Sequence, residues 1–344
     1  MNFASDNTAG VAPQIMAALH RANEGFTLGY GNDDVTRRVE RKFCDLFERD
    51  VAVFLVPTGT VANALALAHV TPPWGAVLCH QNSHIAADEC GAPEFFGGGI
   101  KLVELPGDDG KIAADTLQAR LGNKASWGPP HHVTPAAVSI SQASEAGTIY
   151  RVAEIRALAD IAHAHGAALH MDGARFGNAL ARLNIGAADM TWKAGVDVLS
   201  FGATKGGAMG AEAVIFFDPK RADGMSARRK RGGALLSKHR FIAAQMEAFL
   251  DGDLWLRLAR HANGMADRLG DGLTQAGYAP VWPVEANEVF AALPVSLCDK
   301  LQAAGAMFYR WDADDKGNVV VRLVTSFQTT AEEVERFVEL ARSA

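Results

Sequence analysis

Two charged residues close two glycine-flanked apolar runs in the middle of the sequence. Ala167 to Met171 leads into Asp172 and Gly173, and Val196 to Phe201 leads into Thr204-Lys205-Gly206-Gly207. Short apolar runs bounded by glycine read as buried parallel strands. Ligands of open α/β sheets sit outside the carboxyl ends of such strands. That places Asp172, Arg175 and Lys205 where a ligand would be. Taken singly, an Asp-Gly after a strand is an ordinary turn, and a Lys between Thr and Gly is an ordinary solvated residue. As a pair they favour a site for pyridoxal phosphate. The lysine holds the aldehyde as a Schiff base, and the aspartate keeps the pyridine nitrogen protonated so that the ring accepts electrons.

Other residues gain meaning from that pair. Pro57 to Thr60, PTGT, follows an apolar run from Val51 to Val56 and opens a helical stretch, VANALALAHV. A strand, a small polar turn and a helix start present free N–H groups and a positive dipole end to a phosphate. Thr58 and Thr60 add hydroxyls, and Gly59 lets the backbone approach closely; the same residues also make ordinary helix caps. His84 and Glu89 lie too far apart for one helix face and lack metal-ligand partners. His84 reads either as a satisfied buried histidine or as a ring over the cofactor face that takes a proton from a substrate hydroxyl. Arg322 stands among apolar neighbours in VVVRLVTS and needs a partner. An internal salt bridge and a bidentate clamp on a substrate carboxylate are both open. By composition alone SDNTAG, Ser5 to Gly10, reads as a frayed terminus.

The elements that position these residues alternate. Strand-like runs recur at Ala76–Cys79, Ile100–Leu105, Ala137–Ser141 and Glu212–Phe217, with a helical period from Val152 to His165. The pattern predicts an α/β domain with a mostly parallel central sheet. Beyond Pro219, helical periods at Ala234–Leu250 and Asp253–Ala276 precede short strands at Glu288–Leu293, Ala306–Arg310 and Asn318–Val324. Helices near Val295–Ala304 and Ala331–Ser343 alternate with them. The expected division is residues 1–245 and a small α+β domain of residues 246–344. At 344 residues, 49% apolar and with a net charge of −6, the chain has room for both. That charge argues against nucleic-acid or anionic-membrane partners; the dense basic run is confined to Ala227–Gly233. Four cysteines without metal spacing fit a cytoplasmic setting, and no metal is expected. The first residues lack the basic start and apolar core of a signal peptide, and no run reaches membrane-spanning length.

In order, SDNTAG, YGNDD, PTGTVAN, the segment from His84 to Gly91, LHMDGAR, TKGG and VVRLVT resemble the low-specificity L-threonine aldolases. The resemblance spans Ser5 to Thr325 and implies the aspartate-aminotransferase-like fold (fold type I) with pyridoxal 5'-phosphate as cofactor. It also implies an active homodimer, assembled further into a homotetramer. The implied reaction is cleavage of L-threonine, L-allo-threonine and related β-hydroxy-α-amino acids to glycine and an aldehyde. By that resemblance Lys205 is the Schiff-base lysine, with Thr204 beside it, and Asp172 is the partner of the pyridine nitrogen. Arg175 contacts the cofactor's phenolic oxygen or the substrate carboxylate, Gly59 and Thr60 hold the phosphate, and His84 stacks on the ring with Glu89 behind it. Ser5 and Arg322 hold the substrate carboxylate, with Tyr30 on the substrate side. Arg229 and Lys230 fall in the basic stretch that reaches the neighbouring subunit's cofactor phosphate.

Two segments depart from the family pattern. Many relatives carry a second active-site histidine where SQASEAG stands here, leaving Ser144 or Glu145 in its place. An arginine or glutamine after the glycines of the basic stretch is replaced by Ser237 and Lys238. The reading expects His84, directly or through a water, to take the β-hydroxyl proton. On the same scaffold the rivals are a phenylserine aldolase, a threonine transaldolase and a β-eliminating lyase. A non-catalytic protein that only binds the cofactor is a further one.

Overall fold

The computed structural model describes residues 1–313 and 317–343. Its large sheet contains β1 (Ala52–Val56), β2 (Gly75–His80), β3 (Lys101–Leu105), β4 (Thr134–Ser141), β5 (Ala168–Gly173), β6 (Val198–Gly202) and β7 (Glu212–Phe216). They lie in the order β1-β7-β6-β5-β4-β2-β3. β7 runs against both its neighbours, and the other pairs are parallel. Every residue of β2, β5, β6 and β7 is buried. Helices cover the sheet, Gly59–Val70 against β6 and β7 and Val152–Ala164 against β5. Burial on both faces explains why these strands are continuous apolar runs rather than alternating ones.

β5 and β6 are adjacent and in register, with Asp172 opposite Ser200. Asp172 and the turn carrying Lys205 therefore emerge at the same edge of the sheet. The expected α/β class and mostly parallel sheet are what the chain forms.

A second, antiparallel sheet has the order β8-β10-β9, formed by β8 (Glu288–Pro294), β9 (Tyr309–Ala313) and β10 (Asn318–Val324). The amino terminus joins it. Phe3 N–H donates to the Met307 carbonyl at 2.8 Å, and Val324 N–H donates to the Phe3 carbonyl at 2.8 Å. Phe3 is wholly buried in the core of this sheet. Burying one phenylalanine contributes about 1.5–3 kcal/mol, which anchors the arm. The composition-based expectation of a frayed terminus is thereby corrected. The strand expected from Ala306 begins at Tyr309, because Met307 pairs with Asn2 instead. The helix expected from Ala234 begins at Arg240; the basic run forms its own short helix, Met225–Arg231, closed by Gly232 and Gly233. The two cores meet along the helix Leu254–Gln275: Trp255 packs into the large one, Met265 and Leu269 into the small one.

Candidate active site

At the shared edge of β5 and β6, Lys205 is half-buried and, among the described residues, makes no hydrogen bond or ion pair. Its charge acts on Asp6, His84 and Glu212, so groups from three other chain segments converge on it. Burial pushes the Glu212 carboxyl up to about 7, against the pull of Thr204 and Lys205. Thr204 closes the turn: its hydroxyl oxygen accepts the Ala211 N–H at 3.2 Å.

Asp172 is buried and held at both oxygens. Oδ1 accepts the Ala174 N–H at 3.0 Å, and Oδ2 accepts from Asn63 Nδ2 at 2.8 Å. The same Asn63 amide donates to Glu89 Oε1 at 2.9 Å, and that oxygen lies 2.8 Å from His84 Nδ1. A line of hydrogen bonds thus runs from Asp172 through Asn63 and Glu89 to His84. The bond from Glu89 raises the His84 imidazole above its ordinary value, and burial raises the Glu89 carboxyl. Sequence reasoning did not single out Asn63, although it closes the PTGTVAN motif. Its Oδ1 and the second oxygen of Glu89 are buried without a partner. Orphaned buried acceptors are rare enough to mark a place where another group completes the site.

The turn before the helix Gly59–Val70 is open. Thr58 caps the helix, its side chain accepting the Val61 N–H at 3.3 Å and its carbonyl the Ala62 N–H at 3.0 Å. The N–H groups of Gly59 and Thr60 precede the first intrahelical bond and have no acceptor among the described residues. A Cβ built on Gly59 would meet nothing within 4 Å. Unclaimed donors, a helix dipole and free space fit a phosphate group. The unpartnered lysine and the anchored aspartate fit the aldehyde and ring nitrogen of pyridoxal phosphate. The residues present suit that cofactor.

Arg175 is paired within the chain. Its Nε and Nη2 donate to the two oxygens of Asp6 at 2.9 and 3.2 Å, and Nη1 lies 3.0 Å from Glu288. All three side chains are buried. Burial works to raise the Asp6 carboxyl, and Arg175 and Lys205 bring it below its ordinary value. Glu288 is pushed up to about 7 by burial, against the pull of Arg175. The pair with Asp6 fixes the arm that carries Ser5, whose hydroxyl oxygen accepts the Asn7 N–H at 3.1 Å. Arg322 makes no ion pair among the described residues. Its guanidinium lies 5.5 Å from the centre of the Tyr309 ring, its Nε is buried and unpaired, and its charge acts on Glu288.

Two expected residues stand apart from the cluster. Arg229 Nη1 donates to the Leu55 carbonyl at 3.3 Å, and its charge acts on Glu40. Tyr30 is half exposed, with the Lys230 ammonium 5.0 Å from its ring centre.

Known proteins resemble the chain over nearly its whole length. The sequence profile of the beta-eliminating lyase family matches residues 2–295. A low-specificity L-threonine aldolase from Pseudomonas aeruginosa is 40% identical over 341 residues, covering 99% of this chain and 96% of the relative. A structure of Leishmania major threonine aldolase superposes with a TM-score of 0.94 at 31% identity, covering 99% of this chain and 98% of the other. Serine palmitoyltransferase of Sphingomonas wittichii shares the fold, with a TM-score of 0.73 at 15% identity over 100% of this chain and 86% of its own.

Proposed function

The chain belongs to the beta-eliminating lyase family, among its low-specificity L-threonine aldolases, and from that footing we propose that it cleaves L-threonine and related β-hydroxy-α-amino acids to glycine and an aldehyde. The observation that carries this reading is the half-buried, unpartnered Lys205 beside an anchored Asp172 and a glutamate-held His84. Pyridoxal phosphate, when bound, supplies the sink for the electron pair left at Cα once the Cα–Cβ bond breaks.

The residues of the chain do the rest. Lys205 supplies the amino group that anchors the cofactor's aldehyde carbon. Asp172, fixed by Asn63 and the Ala174 N–H, keeps the proton on the ring nitrogen. Gly59 and Thr60 offer their free N–H groups to the phosphate. Ser5 and the unpaired Arg322 hold the substrate carboxylate, and this orients the bond to be broken. His84 would stack on the ring near the substrate's β-hydroxyl, one of its nitrogens committed to Glu89. Arg175 serves by locking Asp6, and with it the segment that presents Ser5.

The active unit in this reading is a homodimer, paired further into a homotetramer. Tyr30 and Lys230 pair with one another, Arg229 bonds the Leu55 carbonyl, and Phe26 and Leu28 near Tyr30 in the chain are exposed, as a surface that meets a neighbouring subunit would be. The setting is cytoplasmic, supported by four free cysteines. Among the described residues no helix is long and apolar enough to cross a membrane.

Purified protein loaded with pyridoxal phosphate should release acetaldehyde and glycine from L-threonine and L-allo-threonine. Release of a keto acid and ammonia, or no product from either, would overturn the reading.

A further inference from the structure

The loop from Gln142 to Tyr150 is the part of the site with no role so far. It is clamped on three sides. Gln142 N–H donates to the Asp172 carbonyl at 2.7 Å, which sets the loop over the end of β5. The hydroxyls of Ser144 and Thr148 both donate to the Asp109 carbonyl, at 3.0 and 2.6 Å. Gly147, at φ +75°, lies so close to Glu288 that an added Cβ would sit 3.1 Å from that residue's Cβ and carbonyl oxygen.

From Gln142 to Tyr150 every residue is buried except Glu145. The rigid loop therefore presents one side chain, and it is a carboxylate. Among the described residues Glu145 has no hydrogen bond or ion pair. Its charge acts on His84, Arg175 and Glu288, which come from three different segments around the ligand space. Ser144 is excluded as the group facing the ligand, because it is wholly buried and its hydroxyl is shared with Asp109 and Thr148.

We propose that Glu145 is a catalytic residue of the cleavage: its carboxylate accepts the hydrogen bond of the substrate's β-hydroxyl and takes that proton as the bond breaks. The inference rests on the aldolase reading and sharpens its proton transfer. The O–H electron pair becomes the new C=O bond of the aldehyde, and the Cα–Cβ pair stays with Cα, which later gains a proton to become glycine. Glu145 returns its proton to water as the aldehyde leaves. An imidazole held by Glu89 and flanked by Glu145 and Asp172 keeps its own proton more readily. His84 then stays bonded to Glu89, and Glu145 supplies the acceptor.

The test compares Glu145→Gln and Glu145→Asp with wild type, all loaded with pyridoxal phosphate, in two reactions. One is aldehyde release from L-threonine. The other is exchange of glycine's α-hydrogen in heavy water, which needs the cofactor but involves no β-hydroxyl. Loss of a general base costs roughly 10²–10⁴-fold. Glu145→Gln should lose cleavage by about 10²-fold or more while exchange stays within about two-fold, and Glu145→Asp should fall between. In the cofactor-free protein, Glu145→Gln should lower the His84 titration followed by NMR. Cleavage retained in Glu145→Gln, cleavage and exchange lost in equal measure, or a His84 titration that does not move would each overturn the proposal. Wild-type protein that exchanges glycine but cleaves no threonine overturns the aldolase reading itself, and this inference with it.

Discussion

Two charged clusters lie side by side at the edge of the large sheet, and they are built on opposite principles. Around Arg175 the cation touches Asp6 at two points and Glu288 at a third, all of them buried. Around Lys205 the cation makes no hydrogen bond or ion pair among the described residues, Asn63 and Glu89 keep orphaned acceptors, and the N–H groups of Gly59 and Thr60 have no acceptor among those residues. Buried acceptors without a hydrogen bond occur in both clusters, on Glu288 and Asn287 as on Asn63 and Glu89, so the cation is what differs: a paired cation ties segments together, and an unpaired one is left for something else to complete. Residue type does not separate the two, since each is one cation among carboxylates. Pairing of the cation does.

Substitutions should pull the two apart. The largest effect belongs to Lys205→Ala, which should reduce threonine cleavage by more than about 10³-fold while stability stays within about 0.5 kcal/mol of wild type. Aldehyde release and a urea midpoint measure both. A large loss of stability would mean that Lys205 is as structural as Arg175.

Arg175→Met should do the reverse to the fold. Two buried carboxylates lose their cation, a class of change that costs about 3–5 kcal/mol. A urea midpoint at wild-type level would show that Asp6 and Glu288 find other partners. It would also remove the reason for treating Arg175 as the lock on the Ser5 segment.

A smaller effect separates the partners of Arg175 from one another. The Glu288 carboxyl is raised to about 7 from an ordinary 4.5, so the folded chain binds its proton more tightly than the unfolded chain does. That contribution is complete below the ordinary value and is lost as pH rises through about 7. Between about pH 5 and about pH 8, wild type should therefore lose roughly 1–3 kcal/mol more stability than Glu288→Gln. Parallel pH profiles for the two proteins would contradict the raised carboxyl.

Much of the ligand-facing cluster is legible in the chain because its residues end runs of regular structure. Asp172 and Lys205 follow apolar strands, and Gly59 and Thr60 start a helix, so local pattern alone places them at one edge. The cluster around the paired Arg175 is not legible that way. Asp6 and Arg175 are separated by 169 positions, and nothing local to SDNTAG foretells that it is pinned to a buried guanidinium. The order of the amino-terminal arm likewise comes from Met307 and Val324. Local pattern left the replacement of the second histidine open between Ser144 and Glu145. The choice depends on which side chain Asp109 ties down, and that is a matter of packing.

The most direct test of the contrast is to find where the cofactor attaches. The protein is loaded with pyridoxal phosphate, reduced with borohydride and digested, and the modified peptide is identified by mass spectrometry. The unpartnered lysine should carry the cofactor, so the added mass should fall on Lys205 and on no other residue. Modification at a different lysine, or a chain that takes up no reducible cofactor, would contradict the account.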